Sequence, residues 1–131
     1  MINTLRELPG LYVTVDSVIH IPEADTPPDK PFAFRYDLSI HNKSQETITI
    51  QARKWVVTNE QGEKLVVEGD GVVGVNPHLE PGETFSYHSF HLIDTPSIAE
   101  GAYFGTTEEG EKIMTKIPSF NMKPPISHKL S

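Results

Sequence analysis

The chain contains no cysteine. A disulfide scaffold, a thiolate metal centre and a cysteine nucleophile are therefore excluded. Basic residues are scarce: Lys and Arg total 11 against 18 Asp and Glu, a formal net charge of −7. A nucleic-acid binder needs a basic footprint on the phosphate backbone, so nucleic acid is not an expected partner. No apolar run approaches the roughly 18–20 residues of a membrane span, so membrane insertion is not expected either. The start, Met1-Ile2-Asn3-Thr4-Leu5-Arg6-Glu7, has no cationic stretch followed by an apolar one. It does not read as a secretion signal, and a soluble cytoplasmic protein is expected. A length of 131 residues predicts one domain, 1–131. Such a domain buries about two-thirds of its unfolded surface and needs no metal or disulfide staple.

Turn punctuation is plentiful, with 11 prolines and 9 glycines, and long helices are not expected. The segments between read at period two, the spacing of a strand. Leu11 to Pro22 is a first strand rich in β-branched and aromatic residues. Pro27, Pro28 and Pro31 then forbid a sheet ladder, because each lacks an N–H. Phe32 to His41 alternates cleanly: Phe32, Phe34, Tyr36, Leu38 and Ile40 face one way, and Ala33, Arg35, Asp37, Ser39 and His41 the other. Thr47 to Thr58 starts with Ile48, Ile50 and Ala52 on one face, then changes phase to Trp55 and Val57. A phase change calls for a bulge or a covered outer face, and the bulge is expected at Arg53-Lys54. Asn59-Glu60-Gln61-Gly62 closes a hairpin into Lys64–Val67. Pro81-Gly82 signals a type II turn before a strand from Thr84 to Leu92. Ala102–Thr107 and Lys112–Ile117 form a final hairpin, and an irregular tail is expected from Asn121 to Ser131. About seven to eight short strands without intervening helices predict an all-β antiparallel sandwich.

Gly69-Asp70-Gly71-Val72-Val73-Gly74 fits G-x-G-x-x-G. In a dinucleotide fold the last glycine opens a helix whose amides meet a pyrophosphate. Here Val75-Asn76-Pro77 follows, and Pro77 turns the preceding residue away from helix. The segment reads first as a turn or bulge needing positive φ or close backbone approach. Its alternative is a backbone nest, with Gly69, Gly71 and Gly74 as candidate ligand-binding residues for a small anion.

The ordered run Val67-Glu68-Gly69-Asp70-Gly71-Val72-Val73-Gly74-Val75-Asn76-Pro77, then Leu79-Glu80-Pro81-Gly82-Glu83-Thr84-Phe85-Ser86-Tyr87, resembles the ApaG (CorD) family. Phe34-Arg35-Tyr36, His41-Asn42, Arg53-Lys54-Trp55, Thr95-Pro96, Gly101-Ala102-Tyr103 and Ile117-Pro118-Ser119-Phe120 extend the likeness over nearly the whole chain. The resemblance implies an immunoglobulin/fibronectin-III-like β-sandwich with no established catalytic activity. It also implies an association with cobalt and magnesium tolerance or efflux. Related domains in eukaryotic F-box proteins and in a DNA-polymerase-interacting protein act as interaction modules. Two departures stand out. Gly74-Val75-Asn76-Pro77 replaces the usual G-E-Q-P, and Tyr87-His88-Ser89-Phe90 replaces the usual Y-T-S-G. A ligand role for that Glu or Gln is not carried over.

Six histidines, His20, His41, His78, His88, His91 and His128, raise the question of a metal. His88 and His91 are three apart, and on a strand they face opposite ways, so no shared ion is expected. Asp37, Asp94 and Glu83 could hold a divalent cation weakly at an acidic surface. Ser89 beside His88, with Asp94 beyond, lacks the nucleophile elbow of a hydrolase. Phe32, Phe34, Tyr36, Trp55, Phe85 and Tyr87 are expected in the core rather than stacking bases. The expectation is a non-enzymatic module with a protein partner, no catalytic residues, no metal site and no cofactor. The alternative is a small-ligand protein that takes pyrophosphate, a nucleotide or a divalent cation at the glycine-rich loop.

Overall fold

A computed structural model describes residues 5–125. Among the described residues there is no helix, and so none long and apolar enough to cross a membrane. Nine strands run in chain order: β1 (Arg6–Glu7), β2 (Leu11–His20), β3 (Phe32–Asn42), β4 (Ile48–Asn59), β5 (Lys64–Asp70), β6 (His78–Leu79), β7 (Thr84–Ile93), β8 (Ser97–Thr107) and β9 (Lys112–Met122). The larger sheet has the order β1-β9-β8-β4-β5, with β6 also on β4, and the smaller sheet has the order β2-β3-β7. All pairings are antiparallel except β1 with β9. The two sheets enclose the core, an all-β sandwich as expected.

The alternation of β3 explains the core directly. Phe34, Tyr36, Leu38 and Ile40 are buried against Ile48, Ile50, Trp55, Tyr103, Ile113 and Met122 from the larger sheet. The Pro81-Gly82 turn forms as expected: Gly82 has φ +93°, and Glu83 N donates to Glu80 O at 3.0 Å.

Among the described residues seven strands run to seven residues or more, in line with the expected count, and the two-residue β1 and β6, which carry no period to read, bring the total to nine. Two expectations are corrected. The last strand does not stop at Ile117 but continues to Met122, which is fully buried. The register between β8 and β9 shifts between Ala99 and Gly101, and the strand passes Pro118 there. Residues 126–131 of the expected irregular tail, with His128, lie outside the described residues.

The second correction matters most for function. The bulge in β4 is at Gln51, between Ile50 and Ala52, not at Arg53-Lys54. The cause is a change of partner. Ile48 and Thr49 pair with β6, whereas Ala52 to Thr58 pair with β5. Between them, Gly71 N donates to Gln51 O at 2.7 Å and Ile50 N donates to Pro77 O at 2.8 Å. Beyond the extra residue the odd-numbered side chains turn inward, which puts Arg53 on the face of Trp55 and Val57.

Candidate functional site: an open cleft between two sheet edges

The sandwich is tied along one side, where Thr115 Oγ1 on β9 donates to Leu11 O on β2 at 3.0 Å. On the opposite side β5 and β7 each end their sheet. A cleft of about 340 Å³ opens there. Leu65 and Val67 of β5, both more than a third exposed, form one side of its rim, and the edge of β7 at Phe90 and Leu92 forms the other, where those two side chains turn to the outer face with His88. Tyr36, Trp55 and His91 form its floor, and Lys30 and Arg53 are its charged lining residues. In a chain of net charge −7, this lining carries two cations and no carboxylate.

The floor is aromatic. The His91 ring stacks on Tyr36 at 4.6 Å between centroids and meets Trp55 edge-on at 4.7 Å. Its Nε2 is buried without a hydrogen-bond partner. Burial pushes its pKa down from 6.5 to about 4, so the ring is neutral at neutral pH. Burial raises the Tyr36 phenol, and Ser89 and Arg53 partly oppose this. Tyr87 and Tyr103 share a hydroxyl–hydroxyl hydrogen bond behind the floor, and burial raises both phenols.

A pH dependence follows from His91. Its folded-state pKa lies below its unfolded value, so the neutral ring favours the folded state. That contribution is complete above about pH 6.5. It is lost as pH falls from 6.5 to about 4, up to about 3 kcal/mol. His91→Phe keeps a ring of similar shape and removes the orphan nitrogen. Urea denaturation between pH 4 and 7 is expected to show a flatter stability profile for H91F than for the parent. Parallel profiles would mean that His91 titrates normally.

The glycine-rich segment is built around Arg53. The guanidinium Nη1 donates to Asp70 O at 2.7 Å and to Gly71 O at 3.2 Å. Gly69 lies beneath it, and a Cβ there would sit 2.8 Å from the guanidinium carbon. Gly71 is buried at φ +65°, with its N–H committed to Gln51 O. Gly74, at φ +85°, follows Val73 at φ +43° in a tight turn whose ends, Val72 and Val75, exchange hydrogen bonds of 2.7 and 3.0 Å. The segment thus turns carbonyls toward a cation, beside Glu68 and Asp70.

The other residues singled out in the sequence are dispersed. His88 is exposed on the outer face of β7 and His91 points inward, as strand spacing requires. Ser89 lines the cleft on the inward face, so Ser89 and the His88 ring do not share a face. His41 is held by Thr14 Oγ1 at 2.9 Å and Thr84 Oγ1 at 3.1 Å, and His78 by Thr49 Oγ1 at 2.9 Å. Asp37 binds Arg35 and Ser17, chiefly Arg35, which lowers its pKa. Glu83 Oε1 accepts from Glu80 N, and Asp94 Oδ1 from Thr95 N. Glu46, Glu109 and Glu111 bring their carboxylates together, which no sequence spacing indicates. Arg6 already pairs with Glu46 at 3.3 Å and Glu111 at 3.0 Å. Sequence reasoning missed Arg53 and His91 as neighbours in one cleft, because Arg53 faces inward only through the Gln51 bulge.

Comparison with known proteins agrees with this architecture. A family model described as the ApaG domain matches residues 22–106. Protein ApaG of Enterobacter sp. (strain 638) is 36% identical over 118 residues, covering 89% of this chain and 94% of that protein. Protein ApaG of Methylocella silvestris is 41% identical over 106 residues, covering 80% and 82%. A crystal structure of the ApaA protein from Bordetella pertussis superposes with a TM-score of 0.78 at 29% identity, over 90% of this chain and 98% of that one. By the matched domain and by relatives aligned over most of their own length, the chain belongs to the ApaG domain family.

Proposed function

We propose that this chain is a non-enzymatic protein-interaction module. It takes an extended segment of another protein into the cleft between β5 and β7, with an apolar side chain on the aromatic floor and a neighbouring carboxylate toward Lys30. The observation that carries this reading is the aromatic floor of Tyr36, Trp55 and His91, open to solvent between the edges of β5 and β7, with Leu65 and Val67 of β5 exposed beside it. Large exposed apolar side chains clustered over a concave site favour a partner, whereas isolated ones need no explanation. Among the described residues β7 ends its sheet, and its outer edge also offers backbone hydrogen bonds to an extended chain.

The test places a photoreactive aromatic residue at Phe90 or Lys30, cleft positions that lie off β5, with Glu108 on a distant turn as control. Crosslinking in cells is expected to give the same discrete adducts from both cleft positions and none from Glu108. Indiscriminate or absent adducts from the cleft positions would overturn the reading. The family's association with cobalt and magnesium tolerance is then placed on the partner. In support, the Glu46, Glu109 and Glu111 cluster is already bridged by Arg6.

Nucleotide binding at the glycine-rich segment is expected to be absent below about millimolar, equivalent to roughly −4 kcal/mol. The Arg53 guanidinium is held by the carbonyls of Asp70 and Gly71, and Glu68 and Asp70 repel a polyphosphate. Amide NMR during titration with ATP and pyrophosphate checks this. Saturating shifts of Gly69, Gly71 and Gly74 at micromolar ligand would promote the small-ligand alternative.

A further inference from the structure

Lys64-Leu65-Val66-Val67-Glu68 has the same chemical pattern in both directions about Val66: a charge, three apolar residues, and the opposite charge. It makes up most of β5, which ends the larger sheet. Leu65, Val66 and Val67 are 45%, 51% and 37% exposed. A free apolar edge of this kind is a template for another strand, which soluble proteins either blunt or use.

The β4–β5 hairpin decides which backbone groups are free. Asn59 N donates to Glu63 O at 3.0 Å, and the register then sets Val57 opposite Leu65 and Trp55 opposite Val67. Antiparallel pairs alternate between those that exchange hydrogen bonds and those that do not. Leu65 and Val67 are therefore bonded to β4. The N–H and C=O groups of Lys64, Val66 and Glu68 point outward along the free edge.

We propose that β5 is a homodimer interface, in which two copies of this chain pair antiparallel, edge to edge, about a two-fold axis through Val66. In that register Val66 exchanges both hydrogen bonds with Val66 of the second copy. Lys64 does the same with Glu68 of the second copy, and the symmetry repeats it, so every outward backbone group of 64, 66 and 68 is used. The side chains agree with the backbone. Lys64 faces Glu68, Leu65 faces Val67, Glu63 faces Gly69, and Asp70 faces Gly62, so no acid meets an acid in a chain of net charge −7. One pairing step either way sets Val66 against Lys64 or against Glu68. A second copy is favoured over an unrelated strand because an isologous interface must complement itself, and this segment does. The axis stands perpendicular to the joined sheet and keeps both smaller sheets on one side. The two clefts then share a rim strip of Leu65 and Val67 from each copy. Seating a partner in the cleft and dimerising along β5 are separable, since the first uses Tyr36, Trp55 and Phe90 and the second uses the outward backbone of β5.

Sedimentation velocity of the full chain, from micromolar to near-millimolar concentration at low salt, tests the interface. A concentration-dependent dimer is expected. Lys64→Glu and Glu68→Lys should each raise its dissociation constant about tenfold or more, because each variant places like charges opposite one another twice. Mixing K64E with E68K should restore association to near the parent level, since every cross-strand charge pair is then opposite in sign. Melting temperatures near that of the parent would show that both exposed substitutions leave the fold intact. The interface is overturned by a chain that stays monomeric throughout. It is equally overturned by a dimer indifferent to both single variants, or by a mixture no more associated than its components. Crosslinking from Phe90 reads the cleft's partner independently of this result.

Discussion

Replacing Trp55 with alanine is expected to destabilise the protein by about 3–5 kcal/mol. Trp55 lies mid-strand in β4, 2% exposed, where both sheets converge on it. Its ring meets Tyr36 at 5.0 Å, His91 at 4.7 Å and Phe120 at 5.9 Å. Truncation removes the apolar burial of the largest core side chain and three aromatic contacts, each worth about 0.5–1.5 kcal/mol beyond area. The surrounding rings cannot collapse into the void, because Tyr36 and His91 are fixed on the opposite sheet by the β3–β7 ladder. Equilibrium unfolding in urea measures the loss. Since small domains have about 5–15 kcal/mol in total, the variant should sit near the limit of stable folding at physiological temperature. A loss below about 1 kcal/mol would remove Trp55 from the core and make it a surface contact of the cleft.

Gly71→Val is expected to cost about 3 kcal/mol or more, because two penalties coincide. The backbone at Gly71 has φ +65°, which a β-branched residue tolerates poorly. An added Cβ would also lie 2.4 Å from Val75 O and 2.7 Å from Asn76 Oδ1. Relief by backbone movement would break the Gly71 N to Gln51 O bond that holds the β4 bulge. Gly74→Val is the control: φ is +85°, but open space surrounds the position, so strain alone remains, about 1–2 kcal/mol. Equal losses at the two glycines would show that the clash at Gly71 is relieved and that the segment is more plastic than its packing implies.

The two substitutions separate what was legible from what was not. Trp55 could be placed in the core from sequence because it recurs at period two with Val57. The need for glycine at 71 was legible too, since clustered glycines between strands point to positive φ. Gly69 was legible as a glycine of close approach, but its neighbour was not, because Arg53 is brought to it by pairing of β4 with β5. The strand past Pro118 was missed because a proline's lost N–H is harmless where a bulge leaves that position unpaired.

Period-two alternation and turn chemistry determined, without any structure, the long strands, the faces of β3 and β7 that form the core, and an all-β sandwich. These are local quantities, set by side-chain direction along one strand and by the φ values that glycine and proline allow. Tertiary structure alone decided the rest. The exchange of β6 for β5 as partner of β4 put the bulge at Gln51 and turned Arg53 inward. The strand order placed β5 and β7 at open edges on the same side, which gathered Lys30, Arg53, Phe90 and His91 around one cleft. Pairing between distant segments sets both, and a single strand's periodicity carries no information about which neighbour it will meet.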